Sequence, residues 1–73
     1  MKVLDRVRVI HDEHPRYIGE MGTVGTVYEQ RRDKRGRIIP ATRYPISVRF
    51  DKPVDGLIGR WFAPEDLELI DAQ

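Results

Sequence analysis

The residues between Arg31 and Arg43 carry the densest chemistry in this chain. Arg31, Arg32, Lys34, Arg35, Arg37 and Arg43 stand against a single acid, Asp33, which makes a local charge of +5. The chain as a whole carries only +1, so the other residues sum to −4. A cationic segment is therefore set on an acidic body. All but one of its cations are arginine, whose planar fork suits phosphate oxygens and base edges better than the point charge of lysine. Tyr28 and Tyr44 flank the segment and offer rings on which a base could stack. Together these residues have the chemistry of nucleic-acid contact. The same charges would also keep an exposed turn soluble and discourage edge-to-edge strand pairing.

A second group is aromatic: Tyr17, Tyr28, Tyr44, Trp61 and Phe62, many rings for so small a core. Trp61 and Phe62 are adjacent on an expected strand and must point to opposite faces. One of them is then exposed, or covered by a loop. An exposed aromatic is an anchor for a protein partner, and Trp61 joins the arginines and tyrosines as a candidate contact residue. His11, Asp12, Glu13 and His14 offer nitrogen and oxygen donors for a metal. However, they fall in a proline-containing connection with no third cluster elsewhere, and a solvated polar loop is the expectation. Ser47, the only serine, lies mid-strand between Ile46 and Val48, where a nucleophile has neither an exposed turn nor a base. The run Gly22 to Val27 lacks the helix and lysine of a phosphate-cradling loop. No catalytic residue and no cofactor is expected.

The elements that hold these residues are short strands. Val3 to Ile10 alternates, with Val7 and Val9 on one face and Arg6 and Arg8 on the other, as in a half-buried strand. His11 to Met21 breaks the pattern at Pro15 and Gly19. Thr23 to Gln30 resumes extended character, and Gly25 within it marks a bulge or sharp bend. Asp33-Lys34-Arg35-Gly36 is a good four-residue turn, so residues 31–45 read as a long basic hairpin, with Pro40 and Pro45 on an irregular or edge arm. Ile46, Val48 and Phe50 form a third strand, Asp51 to Gly56 a turn, and Leu57 to Phe62 a fourth strand. Pro64, Glu65 and Asp66 suit a short helical turn, and Glu68 to Ile70 make a fifth strand before a frayed end. The expected core is Val7, Val9, Val24, Val27, Ile46, Val48, Phe50 and Leu67, closed by Leu69 or Ile70.

Asp5, Val7 and Val9, followed by Gly19, Gly22, Val24 and Val27, resemble the KOW motif of SH3-like barrels. The stretch from Trp61 to Ile70 looks like the last strand, 3₁₀ turn and closing strand of the same barrels, and the two regions cover about half of the chain. The family pattern has a glycine where this chain has Leu4, and another soon after the first strand, where this chain has His11 to His14. The resemblance implies an all-β fold: a single five-stranded SH3-like barrel over residues 1–73. A long basic hairpin would lie between strands two and three, and a short 3₁₀ turn before the last strand. Similar free-standing barrels occur as subunits of multi-protein enzymes and as small bacterial or phage proteins.

At 73 residues with 40% hydrophobic and 34% charged side chains, the chain is near the lower size limit for one self-supporting core. It has no cysteine, which excludes disulfides and thiolate metal sites and favours the cytoplasm over a secreted location. Its first residues alternate charge with apolar side chains, unlike a signal peptide, and no apolar run approaches the length of a membrane span. The expectation is a non-catalytic binding module that contacts nucleic acid. The alternative is a protein-interaction module or accessory subunit that docks on an acidic partner through its aromatic face and arginines. A third reading is a chain that completes an enzyme built mostly of other subunits.

Overall fold

Alternation of β-branched and charged residues dictates the first strand, β1 (Arg6–Val9), whose Val7 and Val9 are buried while Arg8 faces solvent. It is one of three inner strands of an antiparallel sheet. A computed structural model of the chain describes residues 1–28, 31–39 and 43–70, with the backbone alone at residues 31, 32, 38 and 39. The other strands are β2 (Met21–Val27), β3 (Arg31–Arg32), β4 (Ile38–Ile39), β5 (Ile46–Val54), β6 (Leu57–Phe62) and β7 (Leu67–Leu69). Five of them form a sheet in the order β6-β5-β2-β1-β7, and β3 pairs with β4 in a separate two-stranded sheet. The protein is all-β, and no α-helix occurs among the described residues. Among those residues β6 and β7, at the two ends of the sheet, do not pair, so the ladder is not closed. No helix of the described residues is long and apolar enough to cross a membrane.

Two glycines fit β2 to its neighbours. Gly22 lies between Val7 of β1 and Phe50 of β5. A Cβ there would stand 2.3 Å from the Arg49 carbonyl oxygen and 2.7 Å from a Val48 methyl, so only glycine lets the strands approach. At Gly25 the β2–β5 register shifts between Val24 and Thr26, the bulge that the sequence leads one to expect.

The third and fourth strands join more tightly than the sequence indicates. β5 continues through Asp51 and Pro53 to Val54, and the reversal is Asp55-Gly56 alone, both with positive φ (48° and 82°). That is the geometry of a two-residue hairpin turn, for which Asp-Gly is a preferred pair. Pro53 is accommodated because the β5–β6 register is irregular between Arg49 and Val54, leaving no ladder bond for its missing N–H. Other boundaries differ from expectation too, and β7 runs from Leu67 to Leu69 where Glu68 to Ile70 are expected. β1 begins at Arg6 because Lys2 to Asp5 form a turn, and β2 begins at Met21. Glu29 and Gln30, expected to end that strand, lie outside the described residues.

The core is Val7, Val9, Tyr17, Val24, Ile46, Val48, Phe50, Phe62 and Leu67, with Val27 and Val54 packed against it. Leu69 is 60% exposed and does not close it. Leu69 lies on β7, the end strand of the sheet. Tyr17 and Phe62 take part instead. Tyr17 comes from a 3₁₀ turn, Pro15–Tyr17, that the sequence reading leaves as irregular chain. Its ring lies parallel to Phe50 (5.9 Å, 9°), and Phe50 meets Phe62 edge-on (6.1 Å, 77°). The turn Pro64–Asp66 forms where Pro64 and the two acids predict it and leads into β7.

Candidate functional site

The outer face of the sheet is built from the residues that alternate away from the core. Thr26, Ser47 and Trp61 stand in one row across β2, β5 and β6, and Thr23, Arg49 and Gly59 stand in the next. Of the adjacent pair Trp61 and Phe62, Phe62 is buried at 1% exposure and Trp61 is the outward one, at 41%. Tyr28, just past β2, lays its ring against the indole at 5.2 Å between centroids, with the planes 5° from parallel. The Tyr28 N–H donates to the Pro45 carbonyl at 2.9 Å. The chain therefore leaves the sheet for the basic segment, and re-enters from it, directly beside this aromatic stack.

Within the segment, Arg31 pairs with Ile39 and Arg32 with Ile38 along the backbone; their side chains lie outside the description, as do Pro40, Ala41 and Thr42 of the expected hairpin. Asp33 organises the turn. Its carboxylate accepts from the backbone N–H groups of Arg35 (2.8 Å) and Arg37 (2.9 Å), and Gly36 N–H donates to its carbonyl at 3.0 Å. Gly36 has φ 79°, which a side chain would strain. Lys34, Arg35 and Arg37 are exposed, and Arg37 also reaches the Asp33 carboxylate at 3.4 Å. Lys34, Arg35 and Arg43 make no ion pair among the described residues.

The cations of the body are arranged differently. Arg6 grips Asp51 through two bonds of 2.6 Å, Arg8 meets Glu68 at 2.6 Å and Arg16 meets Asp55 at 2.5 Å. Bonding from Arg6, helped by the attraction of its charge, holds the Asp51 carboxyl below its ordinary value, and the same contact raises Arg6. Arg60 pairs with Asp12. The guanidinium of Arg60 also covers the Tyr17 ring at 4.4 Å.

No protein-family model matches this chain, and no curated protein shows significant similarity to it. What the site can do follows from its own charges and rings.

Tyr44 and Arg43 line an open cleft of about 300 Å³ with His11, Asp12, Arg60 and Asp66. The polar groups of that cleft engage one another, His11 with Asp66 at 3.1 Å and Asp12 with Arg60. In the stretch His11 to His14, His11, Glu13 and His14 are exposed as in the solvated loop its composition indicates, and the exception is Asp12, whose side chain is only 6% exposed. Among the described residues no cluster of three or more His, Cys, Asp or Glu is placed to hold a metal ion. One residue escaped the sequence reading. Arg49 is exposed on the Trp61 face and has no hydrogen-bonding or ionic partner among the described residues. Its signal was present, since alternation about Val48 and Phe50 points Arg49 outward.

Proposed function

We propose that this protein is a non-catalytic nucleic-acid-binding module whose cationic contacts centre on residues 31–43. The observation that carries the reading is the gathering of unpaired cations on one short segment. In the body Arg6, Arg8, Arg16 and Arg60 each meet a carboxylate, and the cations that do not among the described residues, Lys2, Arg49 and Lys52, are scattered; in the segment Arg37 meets Asp33, whereas Lys34, Arg35 and Arg43 face solvent without a carboxylate partner among the described residues. Unpaired arginines gathered on one segment fit the spaced phosphates of a nucleic-acid backbone. The scaffold we infer is an SH3-like barrel with residues 31–45 as a protruding hairpin. In support, four strands follow one another in the sheet and the last returns to the first, and the second is bulged and pinched at glycine.

The test is binding of DNA and RNA at low and raised salt, for the wild type and for a variant with Lys34→Glu, Arg35→Glu and Arg43→Glu. Binding should weaken by roughly one power of the salt concentration for each phosphate contacted, and the charge reversal should abolish most of it. Absence of binding at low salt sinks the reading. A second reading, a protein-interaction module, is favoured by Leu57, Ile58 and Trp61, exposed by 45%, 66% and 41% on the end strand β6. A nuclease-treated pull-down that retains one stoichiometric protein would support it.

A further inference from the structure

The outer face of β2, β5 and β6 combines features that the basic segment alone does not explain. Trp61 and Tyr28 are stacked on each other yet remain 41% and 55% exposed, so the stack is open to a further ring. Ser47 lies directly across from Trp61. One row along, at a spacing of about 7 Å for two residues of strand, comes Arg49, opposite Gly59. Gly59 has no side chain, and β6 passes so close to β5 that a Cβ there would stand 2.8 Å from the Val48 carbonyl oxygen. No side chain rises from the sheet at Gly59, opposite Arg49 and two residues before Trp61. Arg6, in the same row as Arg49, is already held by Thr23 and Asp51, whereas Arg49 has no partner among the described residues.

We infer that this face binds single-stranded nucleic acid, with an unpaired base continuing the Tyr28–Trp61 stack and a neighbouring phosphate held by Arg49. The inference rests on the nucleic-acid reading above and names the form of the ligand. A base inside a duplex has both faces covered by its neighbours and cannot extend an aromatic stack. A single strand offers free faces, and aromatic side chains beside a cationic groove are the usual means of holding it. The basic segment leaves the sheet and returns to it between Tyr28 and Pro45, beside the same stack. A strand crossing the face would meet a ring, a glycine and a cation in turn. A purely apolar partner would gain nothing from the unpaired arginine.

Trp61 is the only tryptophan in the chain, so intrinsic emission reports directly on the proposed contact. The experiment is a low-salt titration with a single-stranded oligonucleotide of about 12 nucleotides and with its duplex, with binding followed in parallel by anisotropy of the labelled nucleic acid. The single strand should quench Trp61 to saturation and bind more tightly than the duplex, which should leave emission nearly unchanged. Trp61→Ala should weaken single-strand binding about tenfold, Trp61→Phe should restore most of it, and Arg49→Glu should weaken it as well. Both altered side chains are exposed, and circular dichroism is the check that the variants fold. Single-strand binding that leaves the tryptophan emission unaltered, or that is indifferent to Trp61→Ala, overturns the inference while the proposed function stands. No binding of either form overturns both.

Discussion

Asp12 accepts a hydrogen bond from the guanidinium of Arg60, although the two are 48 residues apart in sequence. Asp12 also accepts from the His14 N–H at 2.8 Å, so one carboxylate shapes its own loop and anchors it to β6. The Arg60 plane in turn lies over Tyr17. Removing the acid takes from a cation only 25% exposed its one ion-pair partner among the described residues. Asp12→Ala should cost about 2–3 kcal/mol in urea denaturation, less than a fully buried pair because Arg60 still reaches water. In a double-mutant cycle, Asp12→Ala with Arg60→Met should cost less than the two singles together. Additive costs would show that the pair is not coupled.

Leu4 has φ 76° and is 77% exposed. It is the third residue of the turn in which Asp5 N–H donates to the Lys2 carbonyl, the place that favours glycine in a type II turn. Leu4→Gly should raise stability by about 0.5–1 kcal/mol, the left-handed strain relieved less the added freedom of the unfolded chain. Leu4→Ala keeps the strain and should fall within about 0.5 kcal/mol of wild type. An equal gain from alanine would trace the effect to the exposed side chain instead.

Gly22 and Gly25 should respond differently to the same methyl group. At Gly22 it would collide with backbone, whereas at Gly25 its nearest neighbour is the Ser47 hydroxyl at 3.9 Å. Thermal or urea unfolding should show Gly22→Ala losing about 3 kcal/mol or failing to fold, and Gly25→Ala losing less than about 1 kcal/mol. Equal losses would mean that the close approach of β2 and β5 is not the cause.

The Arg6–Asp51 pair gives a pH dependence of defined sign. Because the folded Asp51 carboxyl lies below its ordinary value, its contribution is complete above the unfolded pKa and disappears as pH falls through the folded one. The stability difference between wild type and Asp51→Asn should therefore be steady at neutral pH and shrink below about pH 4. It should also shrink with salt, since both groups are solvent-accessible. A difference that persists unchanged into strong acid would assign it to something other than this charge.

The strands were legible where a local rule reports a global fact. Val7 and Val9 in β1, and Ile46, Val48 and Phe50 in β5, alternate because one face of the sheet is buried, and period two survives in the sequence. The outward direction of Arg49 was readable by the same rule. The placement of Tyr17 was not, because its ring is buried by Phe50 and Arg60, which lie far along the chain and leave no periodicity near residue 17. The same holds for Asp12, whose neighbours indicate solvent while its partner lies on β6. Trp61 and Phe62 were known to diverge, but which of them faced inward depended on register across β5. Ile46 settles it by pairing with Phe62 on the core side.

The rung between Tyr28 and Pro45 bears on how such a protein can change over generations. The chain leaves the sheet after β2 and returns to it before β5 at one hydrogen-bonded rung, Tyr28 N–H to the Pro45 carbonyl. The core strands make their ladders without it. If the segment carries the contacts proposed for it, its length and sequence can change while the host sheet keeps its register, and ligand range can drift independently of the ability to fold.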